Sequence, residues 1–172
     1  RIISIYRDAN WKISQFWRHC QNMLVEMSRG KLTTFGAKGI VKSVETATGY
    51  GIKLPSGLVM RYDDLQYEQG ERGPEFSYMT RRGRTRIYGG KVTENVCQAI
   101  ARCIMGEQML AIAKRYKPVL TVHDSVVCCV PDDELDEARQ YIEECMSTTP
   151  SWAEGMPITC ESGIGKSYGD CE

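Results

Sequence analysis

The sequence lacks the patterns that place a chain in a membrane or around a structural metal. None of its apolar runs is long enough to span a bilayer, and we expect neither a membrane span nor a signal peptide. It has two histidines and no C-x-x-C pair, although eight cysteines are present. Because zinc sites need paired ligands at short spacing, structural zinc is not expected. Several of the cysteines fall in helix and strand patterns, where free thiols pack as small hydrophobes, and we expect a reducing, cytoplasmic location.

The chain also lacks net charge, since 22 basic residues balance 22 acidic ones. Bulk attraction to nucleic acid is therefore not predicted, and a local basic patch has to be sought. Repeats, low-complexity tracts and clear linkers are missing as well, so residues 1–172 are predicted to form a single domain. The first residue is Arg1 rather than Met. We expect this domain to be part of a larger one in a longer protein.

The order of the apolar patterns predicts an α+β fold. Apolar residues at three- and four-residue steps predict a helix over residues 8–29, ending at Gly30. Residues 31–90 carry strand and turn signals, including the Pro-Ser-Gly between GYGIKL and LVMRYDD, and predict a small antiparallel β region. A long helix follows over 92–116, with these residues on or near its apolar face: Val96, Ile100, Ile104, Leu110 and Ala113.

The last third of the chain is predicted to form a hairpin, a helix and a tail. Two strands, about 119–123 and 125–130, bracket His123 and Asp124. An amphipathic helix over 133–147 follows, and the turn-rich tail is predicted to hold an edge strand.

The stretch VLTVHDSVVCCVP places an imidazole and a carboxylate between two apolar runs. Asp124 would be held rigidly by both strands, and carboxylate oxygen is a ligand that Mg²⁺ prefers. The alternative is a tight turn in which Asp124 bonds to its own backbone as an Asx-turn, and the local sequence alone favours it. His123 by itself is more typical of a packed or hydrogen-bonded histidine than of a ligand.

Two further segments are candidates for binding nucleic acid. RRGRTRIYGGK, residues 81–91, has five basic residues in eleven, and Arg84 and Arg86 could contact phosphates, although a solvated strand edge explains the charge equally well. VTENVCQAIAR has polar side chains at helical spacing, and Asn, Gln and Arg can read minor-groove acceptors. An ordinary exposed helix face is the alternative for these residues: Glu94, Asn95, Gln98 and Arg102.

In order and spacing, these segments together resemble the C-terminal part of family A DNA polymerases, most closely the bacteriophage-type branch. IYRDANWKISQFW is similar to the family's YR-x-x-N-x-x-I-x-x-x-W, and IKLPSGLVMRYDD to LPSGR-x-L-x-Y. YGGKVTENVCQAIAR is similar to YGGK-x-x-EN-x-x-QA-x-AR, and VHDS to the palm motif C, usually VHDE. TTPSWAEGMPITCESGIGKSYG resembles the tail P-x-WA-x-GLPL-x-x-E.

The resemblance implies a palm-type antiparallel sheet with a motif C hairpin, packed against long helices, and makes region 31–90 a small β-rich insertion. It implies that Asp124 binds a catalytic Mg²⁺, one of two in the complete enzyme, and that His123 lies near the primer terminus. Primer–template DNA and dNTP are the implied partners, in the host cytoplasm if a phage encodes the protein. The implied DNA contacts are Gln98 with Glu94 or Asn95 in the minor groove, and Lys91 or Arg102 on backbone or template.

The chain departs from the family pattern at several positions. Ser125 replaces the usual Glu and could hold a metal only through water, Cys103 stands where Asp is common, and Asn95 and Gln98 are three rather than four apart. The second catalytic Asp motif, D-x-S-x-x-E-x-R, and the fingers helix are not found. We therefore expect the missing parts upstream of Arg1 and no polymerisation by this chain alone.

Three interpretations follow: an incomplete polymerase palm, a non-catalytic primer–template binding module, and an unrelated metal-dependent nuclease. The nuclease would need a second carboxylate cluster near Asp124, which the sequence does not supply. An exposed sheet edge in the incomplete palm would favour a homodimer by strand pairing.

Overall fold

The computed structural model describes residues 2–36, 39–71 and 73–171. The chain divides into two compact units, Arg1–Ile100 and Ala101–Glu172, and one long helix carries residues of both. No helix in the described ranges is both long and apolar enough to cross a membrane.

Two helices begin the first unit, α1 at Ile2–Ala9 and α2 at Trp11–Ser28. The sequence predicts one helix over 8–29, and the structure interrupts the helical segment at Asn10. Asn10 has φ −111° and ψ 45°, outside the helical region, and the Tyr6 carbonyl accepts hydrogen bonds from both the Asn10 backbone N–H at 2.9 Å and its side-chain Nδ2 at 3.0 Å. Gly30 follows the end of α2 with a φ of 76°, which confirms the predicted stop.

Six strands form one antiparallel sheet in chain order. The Pro-Ser-Gly turn joins two of them, as predicted, and Gly57 there has a φ of 88°. The antiparallel β structure expected between residues 31 and 90 is thus confirmed, but as the larger sheet of the described chain rather than a small one. The strands are β1 Thr34–Phe35, β2 Val41–Thr46, β3 Gly49–Lys53, β4 Val59–Gly70, β5 Gly73–Thr80 and β6 Gly83–Ile87.

One face of this sheet packs against α2 and the first turns of α3, which spans Gly89–Ile112. The helical residues recur at three- and four-residue steps, and each of β2 to β6 contributes an inward side chain. The apolar stripe predicted for α2 is confirmed. The buried cluster comprises Cys20, Met23, Leu24, Met27, Val41, Ile52, Tyr62, Phe76, Ile87, Val92 and Val96.

The second unit contains the C-terminal half of α3, the hairpin β7 Pro118–Val122 and β8 Ser125–Cys128, and helix α4 Leu135–Ser147. Its core is small and lies around α3 and α4: Ile112, Tyr116, Ala138 and Cys145. The hairpin and the last helix confirm the predicted elements. The two hairpin strands form a sheet of their own, and no described strand pairs with their outer edges, so the palm-type sheet stays a prediction.

Two sequence predictions in this unit are wrong. Leu110 is 71% exposed and Ala113 is also exposed, whereas the buried residues of this half of α3 are Cys103, Met105, Gln108 and Ile112. The tail has no strand up to residue 171, only short 3₁₀ turns at Ser151–Ala153 and Tyr168–Asp170. The outer edges of β7 and β8 are open among the described residues, but the tail does not pair with either of them.

Candidate metal and nucleic-acid site

Asp124 lies in the two-residue turn that joins β7 to β8, between the paired residues Val122 and Ser125. Hairpin turns of this length need a positive φ at their first central residue. His123 occupies that position with a φ of 53°, where glycine would be the least strained residue. Backbone strain of this kind costs about 1 kcal/mol or more and is concentrated at functional sites.

The Asp124 carboxylate is exposed and accepts no hydrogen bond from any described residue. The side chains of His123 and Ser125 are likewise exposed and have no partner among those residues. The Asx-turn that would have explained Asp124 structurally is therefore absent. The carboxylate is held by two paired strands and is free to bind a ligand.

The residues around Asp124 fit one ligand position of a Mg²⁺ ion but not a complete site. Asp124 and the Ser125 hydroxyl are hard oxygen donors of the kind that Mg²⁺ prefers. Within the described ranges, however, no group of three or more His, Cys, Asp or Glu side chains could hold a metal. Further carboxylates would have to come from residues outside those ranges.

The start of α3 packs unusually close to α2. Gly89 donates its backbone N–H to Gln21 Oε1 at 2.7 Å, and a Cβ on Gly89 would lie 2.2 Å from the Trp17 carbonyl oxygen. Glycine is thus required in this place by the neighbouring backbone. The start of α3 is fixed by this approach, and the candidate DNA contacts Lys91, Glu94 and Asn95 lie on its first two turns.

Some of the candidate DNA contacts on α3 are already bonded to other residues of the chain, and others are not. Lys91 and Glu94 form an ion pair at 2.8 Å, and hydrogen bonding to Glu94 raises the pKa of Lys91. Asn95 Nδ2 donates to Tyr62 Oη at 3.3 Å. Gln98 is exposed and makes no hydrogen bond within the described chain. Among the candidate contacts in the first unit, Gln98 is therefore the residue whose side chain is not already bonded. Arg102 is also exposed, on the part of α3 that belongs to the second unit.

The two arginines predicted to contact phosphates, both on β6, already have acidic partners on β4 and β5. Arg84 donates to the Asp64 carboxylate and also to the Asp64 backbone carbonyl at 3.1 Å. Arg86 lies 3.3 Å from a carboxylate oxygen of Glu75. Their role in DNA binding stays a prediction, and these pairs would compete with phosphate.

Sequence reasoning missed Tyr62, which supports Asn95. It is 2% exposed, and its ring meets that of Tyr78 edge-on at 5.1 Å. Strand alternation in LVMRYDD would have placed Tyr62 on one sheet face with Met60, but no local pattern indicates a bond to a residue 33 positions away.

Burial raises the pKa of Tyr62 from 10.0 to about 12. The unfolded chain loses the Tyr62 proton near pH 10, whereas the folded chain keeps it until about pH 12. Tyr62 therefore stabilises the fold fully below pH 10, and we expect this stability to fall by roughly 1.4 kcal/mol per pH unit between these values. Urea unfolding as a function of pH measures it. Tyr62→Phe should remove this part of the pH dependence, and equal slopes for the two proteins would contradict the assignment.

Over nearly its whole length the chain is homologous to phage DNA polymerases. It is 31% identical to the DNA polymerase of Bacillus phage SP02 over 177 aligned positions, which cover 97% of this chain and 26% of that protein. It is 26% identical to the DNA polymerase of Bacillus phage SP01, over 76% of this chain and 13% of that protein. The chain thus spans about a quarter or less of the length of these relatives. No family model and no solved structure matches it.

Proposed function

We propose that the chain is the C-terminal palm segment of a family A DNA-directed DNA polymerase of the bacteriophage type. The observation that carries this proposal is the 31% identity to the phage SP02 DNA polymerase over 97% of the chain. The Asp124 carboxylate, which has no hydrogen-bond partner among the described residues, is consistent with it, because its oxygens are open to a cation.

In this proposal Asp124 is the carboxylate that holds a catalytic Mg²⁺, and Ser125 reaches the ion only through water. When two such ions are bound, they supply a clamp on the attacking and leaving oxygens of the nucleotidyl transfer. His123, whose side chain has no partner among the described residues, lies beside the primer terminus. The remaining carboxylates come from another part of a longer polymerase.

The polar residues of α3 contact primer–template DNA. Gln98 donates and accepts hydrogen bonds in the minor groove, where every base pair presents acceptors. The Asn95 amide is oriented for the same groove by its bond to buried Tyr62. Lys91 and Arg102 contribute charge toward the backbone or template.

A second candidate function is a primer–template binding module without catalysis. Two observations favour it: Ser125 occupies the position where the resemblance has a Glu, and the described residues form no carboxylate cluster. Assays of the complete polymerase distinguish these two candidate functions. Primer extension supports the enzyme, and retained DNA binding without extension supports the module.

The test of the DNA-binding part uses the 172-residue chain and a labelled primer–template. We expect binding without primer extension, and a three- to ten-fold loss of affinity in Gln98→Ala, the size of one hydrogen bond. Gln140→Ala is the matched control, because Gln140 is exposed on α4 and, within the part of the chain that the structure describes, its side chain bonds only to Glu144. Extension by the chain alone, or equal affinities for the two variants, would contradict the proposal.

A further inference from the structure

An open cleft of about 450 Å³ lies on the six-stranded sheet, lined by Arg61, Asp63, Tyr78, Met79, Thr80 and Arg81. Tyr62 is buried in the core, so its neighbours Arg61 and Asp63 project from the opposite face of β4. The same alternation in β5, where Phe76 is buried, directs Met79 to that face. By the same alternation Tyr78 and Thr80 lie on the core side, and Tyr78 packs against the core, so residues from both faces line the cleft, near the start of β4 and the end of β5.

The charge of this cleft is positive. Arg81 lines the cleft, and Arg82 follows it in the turn between β5 and β6; neither has an acidic partner among the described residues. Arg61 lies 3.7 Å from Asp63, whose carboxylate also accepts a hydrogen bond from Thr48. Because Asp63 is the only carboxylate in the lining, the arginines outnumber it and the surface attracts anions.

The backbone around the cleft is preorganised. Thr80 Oγ1 donates to the Gly83 carbonyl at 2.7 Å and accepts from the Arg82 N–H at 3.2 Å, which fixes the turn. A β-bulge in β4 between Asp63 and Gln66 alters the strand beside Arg61. Groups held in place before binding lose less freedom when a ligand arrives.

We propose that this cleft binds the phosphodiester backbone of nucleic acid through Arg61, Arg81 and Arg82. Guanidinium groups pair with phosphate through two parallel hydrogen bonds. Contacts to phosphate oxygens carry no sequence information, so we expect this binding to be independent of sequence. The inference extends the proposed function, because it adds a second DNA contact at the turn between β5 and β6.

The test compares Arg81→Gln/Arg82→Gln with the charge-matched control Arg29→Gln/Lys31→Gln in the 172-residue chain. Among the described residues, Arg29 and Lys31 form ion pairs with Glu26 near the end of α2 and with no other carboxylate. Binding of a labelled oligonucleotide is measured from about 50 to 200 mM salt, a range over which phosphate contacts weaken strongly. Circular dichroism and the unfolding midpoint establish that each variant is folded.

We expect the Arg81/Arg82 variant to bind roughly ten-fold more weakly, with a slope of log Kd against log salt smaller by about 1.5 to 2. The control should keep the wild-type slope. If the salt slope is unchanged in the Arg81/Arg82 variant while Gln98→Ala still loses affinity, the proposal that the cleft binds DNA is wrong and the proposed function stands. If the wild-type chain does not bind the oligonucleotide, the proposal for the cleft is also wrong. Primer extension by the complete polymerase then tests the proposed function separately.

Inorganic phosphate and ATP distinguish the source of the phosphate. At a few millimolar, neither should displace the oligonucleotide, because each offers fewer phosphates than a strand that spans Arg61 and the turn. Displacement by ATP at that concentration, lost in the Arg81/Arg82 variant, would assign the cleft to a free nucleotide and contradict the proposal.

Discussion

Replacing Asp124 with Asn in the complete polymerase is expected to lower Mg²⁺-dependent primer extension by about a thousand-fold, which is about 4 kcal/mol of transition-state stabilisation. The substitution removes the charge of the only side chain in the hairpin turn that fits a metal position, while an amide of nearly the same shape remains. Asn is tolerated in tight turns, so the hairpin should keep its structure. Primer–template affinity should change little, because the lost interaction acts on the reacting phosphate.

Asp132→Asn is the matched control for this prediction. Asp132 is exposed in the 3₁₀ turn that precedes α4 and is the same residue type on the same unit. Single-turnover primer extension of both variants is the measurement, with the control expected within about two-fold of wild type. An Asp124→Asn enzyme that kept a tenth of the wild-type rate would show that Asp124 does not hold a catalytic metal.

Gly89→Ala is expected to lower the free energy of unfolding by about 3 kcal/mol. The added Cβ would lie 2.2 Å from the Trp17 carbonyl oxygen and 2.8 Å from the Gln21 amide nitrogen, and both are backbone atoms of α2. Relief requires moving α3 away from α2, which disturbs the packing of Val92 on the core. We therefore expect a loss of unfolding free energy at the upper end of the range seen for overpacked cores.

Gly90→Ala tests whether the close approach, rather than the loss of any glycine, causes this effect. A Cβ on Gly90 comes within 3.1 Å only of the Tyr88 ring, a side chain that can shift. Alanine also favours the helix by up to about 1 kcal/mol over glycine. Urea unfolding followed by circular dichroism should show near-wild-type stability for Gly90→Ala. Equal destabilisation of the two variants would contradict the packing argument.

The elements that local pattern specifies could be predicted from the sequence. The stripe of Cys20, Met23, Leu24 and Met27 is set by a period of 3.6 residues, and it forms the buried face of α2. The hairpin around His123 and Asp124 is set by two apolar runs, since a pair of strands needs little beyond its own turn. The apolar pattern does not predict the break at Asn10, because it continues through a residue whose backbone, with φ −111° and ψ 45°, leaves the helical region.

The pairing of polar side chains could not be predicted. Arg84 bonds to Asp64 across 20 positions and Asn95 to Tyr62 across 33, and such contacts depend on strand register and helix placement. The sequence shows that RRGRTRIYGGK is basic, but not which of its arginines form ion pairs. Arg84 and Arg86 have acidic partners, whereas Arg81 and Arg82 at the turn have none among the described residues. Leu110 was assigned to the wrong face for a similar reason, since the buried stripe of α3 shifts along a helix of 24 residues.

Iron-mediated cleavage of the polypeptide tests the central claim, that the hairpin turn lies at the catalytic metal, most directly. Fe²⁺ is substituted for Mg²⁺ in the complete polymerase with primer–template and dNTP, peroxide is added, and the cut positions are mapped by mass spectrometry. The account predicts cleavage at or beside His123 and Asp124, reduced by excess Mg²⁺ and lost in Asp124→Asn. Cleavage confined to other parts of the protein, with this turn intact in an active enzyme, would contradict it.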